Sequence, residues 1–85
     1  MSPKDIKIGK TYTNRGAGRT RRYVVDIVPY ITLAHRGIYV TWGSFNERPS
    51  DPVVAYRPVT EDDTPLEYLY LRSFASWAGS EVPNA

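Results

Sequence analysis

Short runs of alternating hydrophobic and polar residues make up most of the chain, and Pro and Gly residues separate them. The clearest alternation covers residues 21–28, where Tyr23, Val25 and Ile27 would share one side of a strand. Further runs rich in β-branched and aromatic residues cover 6–13, 38–42 and 52–57. Each run predicts a short β-strand, because these residue types fit a pleated, half-buried surface.

The segment 66–78 is compatible with two structures. Residues 64–67 have the spacing of a capping box with Pro65 at the first helical position, which would begin one long helix. The alternation over 67–72 instead predicts a strand, followed by a short helix at about 73–78 that Ser73 would cap. We favour the strand and short helix, since a long helix would leave a thin barrel wall. Residues 29–37 allow no assignment.

These elements predict a mainly β fold, a small and partly open barrel of the SH3 or OB kind. It would have about five strands and a short C-terminal helix. The 85 residues fit a single domain, 1–85, with an ordered core at about 6–78 and short flexible termini. The predicted core comprises Ile8, Tyr12, Tyr23, Val25, Ile27, Val40, Trp42, Val54, Leu69, Leu71, Phe74 and Trp77.

The order of motifs resembles small bacterial SH3-like barrels of unknown function. Residues 8–12 (IGKTY), a basic turn and residues 22–27 (RYVVDI) resemble their opening strands. Residues 52–57 (PVVAYR) and 70–74 (YLRSF) resemble their third strand and closing strand-plus-helix. The chain also looks like short accessory proteins of bacteriophages and prophages. The resemblance covers most of residues 6–78 and implies a fold without transferring a function.

Composition removes several classes of function. The chain has no Cys and one His, so disulfides, thiol catalysis and Cys-ligated zinc are excluded. His35 lies in no triad context, so we predict no enzyme, no catalytic residue, no metal, no cofactor and no small-molecule substrate. No apolar stretch approaches a membrane span and the first residues lack a secretory h-region. We therefore expect a cytoplasmic protein, in the host cytoplasm if a phage encodes it.

Charge is distributed unevenly along the chain. Residues 1–40 carry eight Lys or Arg against two Asp, a formal charge of +6. Residues 41–85 carry three Arg against seven acidic residues, a formal charge of −4. Such asymmetry favours either a polyanion-binding surface or a basic half that folds against an acidic half.

The strongest functional signal is the segment 15–22, which holds four Arg within eight residues on and beside a Gly-rich turn. Guanidinium groups match phosphate oxygens in pairs, and exposed aromatic rings on small barrels stack on bases. We therefore predict a non-catalytic module that binds a polyanion, most simply nucleic acid. The alternative is a solvated hairpin tip that keeps an edge strand from aggregating. The predicted polyanion-binding residues are Arg15, Arg19, Arg21, Arg22, Lys7 and Lys10. The candidate stacking rings are Tyr30, Tyr39, Tyr56 and Tyr68.

A second hypothesis uses the acidic residues. A phage-encoded inhibitor or accessory factor, of the kind that blocks a host defence, would bind a host protein in a fixed ratio. Its acidic surface would occupy a basic nucleic-acid channel in that target. The residues for this protein-partner surface are Glu61, Asp62, Asp63 and Glu67. The sequence leaves the partner and the oligomeric state open.

Overall fold

The structure, a computed structural model, describes residues 1–15, 20–40, 50–60 and 64–83. In these ranges five strands form one antiparallel sheet in the order β4-β3-β2-β1-β5. The strands are β1 (Thr11–Asn14), β2 (Arg21–Pro29), β3 (Pro52–Pro58), β4 (Glu67–Tyr70) and β5 (Ala78–Val82). A 3-10 helix (Pro3–Asp5) precedes β1, helix α1 (Tyr30–His35) follows β2, and helix α2 (Leu71–Trp77) connects β4 to β5.

The prediction of a mainly β fold with a short C-terminal helix is confirmed. Strands β1 to β4 are neighbours in chain order, and β5 returns to pair with β1, which is consistent with an SH3-like arrangement. The preferred interpretation of 66–78, a strand and then a short helix, is also confirmed. Helix α2 begins at Leu71, two residues before the predicted start at about 73.

Strand β5 lies beyond the predicted ordered core of 6–78. It pairs with β1 through Thr11 opposite Val82 and Thr13 opposite Ser80. Its sequence, AGSEV, has small and polar residues and little β-branched character, so it gives no strand signal of its own. At the other terminus the Met1 ammonium group donates hydrogen bonds to the carbonyl oxygens of Ala75 and Ala78, at 2.8 and 3.0 Å.

Helix α1 occupies most of the segment 29–37 that the sequence left unassigned. Pro29, in extended conformation, precedes its first turn, and Gly37 ends it with a φ of 79°. The backbone N–H groups of Gly37 and Ile38 donate to the carbonyls of Ala34 and Leu33, the two bonds of a Schellman motif. The predicted strand over 38–42 is therefore wrong at residues 38–40, which follow this cap without strand pairing, and residues 41–42 lie outside the described ranges.

A β-bulge at Val25 changes which residues of β2 face each side of the sheet. Val24 pairs with Tyr56 of β3 while Asp26 pairs with Ala55, so Val25 is the extra residue. Val24 and Ile27 consequently face the same side, although strict alternation would place them on opposite sides. The predicted grouping of Tyr23, Val25 and Ile27 is wrong because the bulge interrupts it.

Hydrophobic residues are buried on both sides of the sheet. The main core lies under α2 and the 3-10 helix and is built around Tyr12, Val24, Val54 and Phe74. A second core lies under α1 on the other side, where Leu33 packs with Val53 and Tyr70. Interior strand β3 contributes to both cores, which explains its continuous run of buried residues.

The predicted core is partly confirmed. Tyr12, Val40, Val54 and Phe74 are buried, and Ile27, Leu69, Leu71 and Trp77 pack against the main core at its edge. Ile8 and Tyr23 are 55% and 42% exposed, so their assignment to the core is wrong, and Val25 is only half-buried. Ile8 precedes β1, and Tyr23 lies before the bulge, on the side opposite to Val24. Trp42 lies outside the described residues.

The Tyr12 hydroxyl ties the N-terminal segment to the main core. It accepts a hydrogen bond from the Lys7 backbone N–H at 2.7 Å and donates one to the Asp5 carbonyl at 3.0 Å. We expect Tyr12→Phe to lower the free energy of unfolding by about 1–3 kcal/mol, because both backbone groups lose a partner in a part-buried place. Urea denaturation measures this, with Tyr39→Phe at an exposed position as the control. Equal stability of the two variants would contradict the role given to the hydroxyl.

Candidate nucleic-acid interface

The two neighbouring arginines of β2 point to opposite sides of the sheet. Arg21 pairs with Thr13, whereas Arg22 pairs with Tyr12, whose side chain is in the main core. The Arg22 guanidinium carbon lies 4.8 Å from the ring centroid of Tyr56 and 4.1 Å from that of Trp77. Both distances are those of a cation–π contact. Arg22 therefore covers the edge of the main core and is not placed with Arg21.

On the side of Arg21, cross-strand neighbours bring a tyrosine and a second arginine together. Tyr23 follows Arg21 by two residues on β2, and it lies directly opposite Arg57 of β3. All three side chains are exposed. Directly opposed residues in a sheet have Cβ atoms about 5 Å apart, so Arg57 lies beside Tyr23 on the neighbouring strand and Arg21 lies two residues along β2 on the same side. We call this surface, with Thr11, Thr13 and Ser80, the arginine–tyrosine face.

Small hydroxyl side chains continue the arginine–tyrosine face toward β5. Thr11 pairs with both Tyr23 and Val82, and Thr13 pairs with both Arg21 and Ser80. The side chains of Thr and Ser are shorter than those of Arg and Tyr, so this part of the surface forms a cleft of about 320 Å³. The cleft is lined by Thr13, Arg21, Ser80, Glu81, Val82 and Pro83.

The remaining predicted basic residues are dispersed. Arg15 is exposed after β1, and its side chain and backbone pack closely on Gly79 of β5, where an added Cβ would lie 2.6 Å from Arg15 Cγ. The Asn14 side-chain oxygen accepts a hydrogen bond from the Thr20 N–H at 2.9 Å, which closes the base of the β1–β2 hairpin. Arg15 and Arg21 thus flank the same hairpin base, while Arg19 lies outside the described residues.

Lys7 and Lys10 lie before β1, Lys7 exposed and Lys10 half-buried. Among the candidate rings, Tyr39 is 70% exposed, whereas Tyr56 is buried and Tyr30 and Tyr68 pack against the second core. Of the acidic residues, Glu67 is exposed on β4, and Glu61, Asp62 and Asp63 lie outside the described residues.

Sequence reasoning missed Tyr23 and Arg57 as site residues. The alternation of Tyr23 with Val25 and Ile27 predicts a core position for Tyr23, and Arg57 lies far from the basic segment in the sequence. The usable signal was the alternation of Arg21 and Tyr23 on β2, which places both on the side opposite to Arg22. The pairing of Tyr23 with Arg57 depends on the β2–β3 register, which the sequence does not specify.

Two tyrosines of the main core, Tyr12 and Tyr56, have hydroxyl pKa values above the ordinary value. Burial raises the pKa of the Tyr12 hydroxyl, and the Lys7 backbone hydrogen bond partly opposes it. Burial also raises the pKa of Tyr56, against the lowering effect of the Arg22 guanidinium that lies over its ring. Both hydroxyls are therefore held neutral more strongly in the folded protein than in the unfolded chain.

The raised pKa values of Tyr12 and Tyr56 predict that the protein loses stability at high pH. Since the folded pKa values lie above the unfolded value of 10.0, the contribution to stability is complete below pH 10.0 and is lost as pH rises through the folded values. We expect the free energy of unfolding to fall across that range, and to fall less steeply in Tyr12→Phe. Urea denaturation from about pH 8 to about pH 11 tests both expectations. An identical slope in the variant would show that Tyr12 does not contribute.

In the ranges that the structure describes, no group of three or more His, Asp or Glu side chains is arranged to hold a metal ion. His35 is exposed at the end of α1. Within the same part of the chain, every helix is too short or too polar to cross a membrane.

Comparisons of the chain with protein-family models, with curated proteins and with solved structures gave no match. The resemblance to small bacterial and phage SH3-like proteins therefore stays a prediction.

Proposed function

We propose that the protein is a non-catalytic module that binds nucleic acid through the arginine–tyrosine face. The observation that carries the proposal is the exposed Tyr23 ring with Arg57 opposite it and Arg21 two residues away on one side of the sheet. Guanidinium groups pair with phosphate oxygens, and an aromatic ring stacks on a base whatever its identity. The combination supports binding that depends little on sequence.

The proposed surface differs in membership from the basic segment 15–22. Arg22 is engaged with Tyr56 and Trp77 in the main core, so we assign it to stability. Arg57 takes its place, because the sheet brings it to Tyr23 from a distant part of the chain. Arg15 flanks the face at the hairpin base, and Arg19 stays a candidate by its position in the sequence.

Salt dependence tests this proposal directly. Each phosphate that an arginine neutralises releases counterions, so the logarithm of affinity falls by about 0.7 per contact for each tenfold rise in salt on single strands. Contacts from Arg15, Arg21 and Arg57 give an expected slope of about −2, and Arg19 would bring it to about −3. Fluorescence anisotropy with labelled DNA and RNA over a salt series measures the slope. If neither nucleic acid binds at low salt, the proposed function is wrong and a protein partner becomes the leading alternative.

A further inference from the structure

We infer that the arginine–tyrosine face binds single-stranded nucleic acid in preference to a duplex. The inference rests on the proposed function and specifies its ligand. It depends on three features of the face: the position of the Tyr23 ring, the alternation of ring and guanidinium groups, and the cleft beside them.

The Tyr23 ring is placed to receive an unpaired base. Its hydroxyl oxygen lies 4.0 Å from the position that a Cβ on Gly9 would occupy, so the ring extends along the sheet toward the segment before β1. With 42% of the residue exposed, the ring offers surface for stacking. Bases inside a duplex are already stacked on each other, so stacking on a protein ring requires a base that is free of the helix.

The charges on either side of this ring match a single strand. The backbone of Arg57 lies on the neighbouring strand, about 5 Å from that of Tyr23. The backbone of Arg21 lies two residues along β2, about 7 Å from that of Tyr23. A base on Tyr23 would thus have a guanidinium near the phosphate on each side. Such alternation of ring and cation is the arrangement by which proteins hold an extended strand without reading its sequence.

The cleft beside Arg21 gives the neighbouring nucleotide a place on the same surface. Its volume of about 320 Å³ lies at the lower end of the range for small-ligand sites, which suits one nucleotide. Ser80 is exposed and supplies a hydroxyl group, Thr13 is only 9% exposed, and Val82 and Pro83 supply apolar contacts. Glu81 also lines the cleft, but it pairs with Tyr12 of the main core, so its side chain lies on the other side of the sheet. This mixture allows hydrogen bonds to a base edge or sugar together with packing on the base itself.

The test compares affinities for a labelled 12-nucleotide single strand and for a blunt-ended 12-base-pair duplex of two strands, at one low salt concentration. We expect the single strand to bind at least about 5-fold more tightly, which is the lower limit for one stacked base. In Tyr23→Ala the preference should disappear, because only the single strand loses a contact, whereas Tyr23→Phe should retain it. Ser80→Leu, which fills the cleft from the edge strand, should weaken single-strand binding, and Ser76→Leu, at an exposed position of α2, should not.

The possible results distinguish the inferred preference for single strands from nucleic-acid binding itself. Equal or tighter binding of the duplex overturns the inference of single-strand preference and leaves nucleic-acid binding in place. A preference that persists unchanged in Tyr23→Ala overturns the role of the ring. Absence of binding to both ligands overturns the proposed function itself and the inference with it.

Discussion

Phe74→Ala should destabilise the protein by about 3–5 kcal/mol, which is the usual cost of removing a fully buried aromatic ring. Phe74 is a residue of α2, and its side chain is completely buried in the main core. Its ring centroid lies 5.8 Å from that of Tyr12, 5.4 Å from that of Tyr56 and 5.3 Å from that of Trp77. One substitution would therefore leave a cavity where the helix meets β1 and β3.

The expected loss is a large part of the total stability. A domain of this size commonly has an unfolding free energy of about 4–13 kcal/mol, so Phe74→Ala would be marginally folded or unfolded. Phe74→Leu, which retains most of the volume, should cost only about 1.5 kcal/mol, and Ser76→Ala on the exposed side of α2 less than about 0.5. The midpoints of urea denaturation measure all three variants. A loss below about 1 kcal/mol in Phe74→Ala would contradict the central place of this ring.

The double variant Arg21→Gln with Arg57→Gln should lose most of the affinity for single-stranded nucleic acid. Each contact has a slope of about 0.7, and its contribution is taken to vanish at about 1 M salt. Two contacts then raise the affinity roughly 60-fold at about 50 mM salt and roughly 10-fold at about 200 mM. The difference between variant and parent should therefore shrink as salt rises. Both side chains are exposed, so the variant should unfold at the same urea concentration as the parent.

A second double variant controls for total charge. Arg36→Gln with Arg72→Gln removes the same two positive charges from exposed positions outside the arginine–tyrosine face. It should weaken binding only slightly, because exposed charges beyond about 10 Å are screened. Equal losses in the two double variants would show that net charge governs binding and that this face has no special role.

Local patterns in the sequence were sufficient to predict much of the sheet. The alternation over residues 52–57 and the β-branched residues of 21–28 correspond closely to β3 and β2. The choice between one long helix and a strand with a short helix was also correct, because alternation over 67–72 indicates the strand β4. These elements are specified by hydrophobic periodicity and by the Pro residues at their ends.

The parts that the sequence did not reveal depend on tertiary structure. Strand β5 forms because β1 supplies an edge for it, and its close packing on Arg15 requires the small Gly79. The bulge at Val25 has no residue signature, yet it decides that Val24 is buried. Helix α1 has only six residues, which give too little hydrophobic periodicity to predict it.

The same limit applies to the candidate site. The arginine-rich segment predicts Arg21 and Arg22 as members of one site, but their proximity in sequence does not give proximity on the surface, since strand alternation separates them. Tyr23 and Arg57 meet only through the β2–β3 register. The sequence thus indicated cationic chemistry, and the sheet determined which cations share a face.

The most direct test of the proposed interface is a two-dimensional amide NMR titration of the labelled protein with a short single-stranded oligonucleotide at low salt. We expect the largest shift changes at the backbone amides of Thr11, Thr13, Arg21, Tyr23, Arg57 and Ser80. Amides of α1, which lies over the second core, should change little. Changes concentrated on α1 or along β4, or no changes at all, would contradict binding through the arginine–tyrosine face.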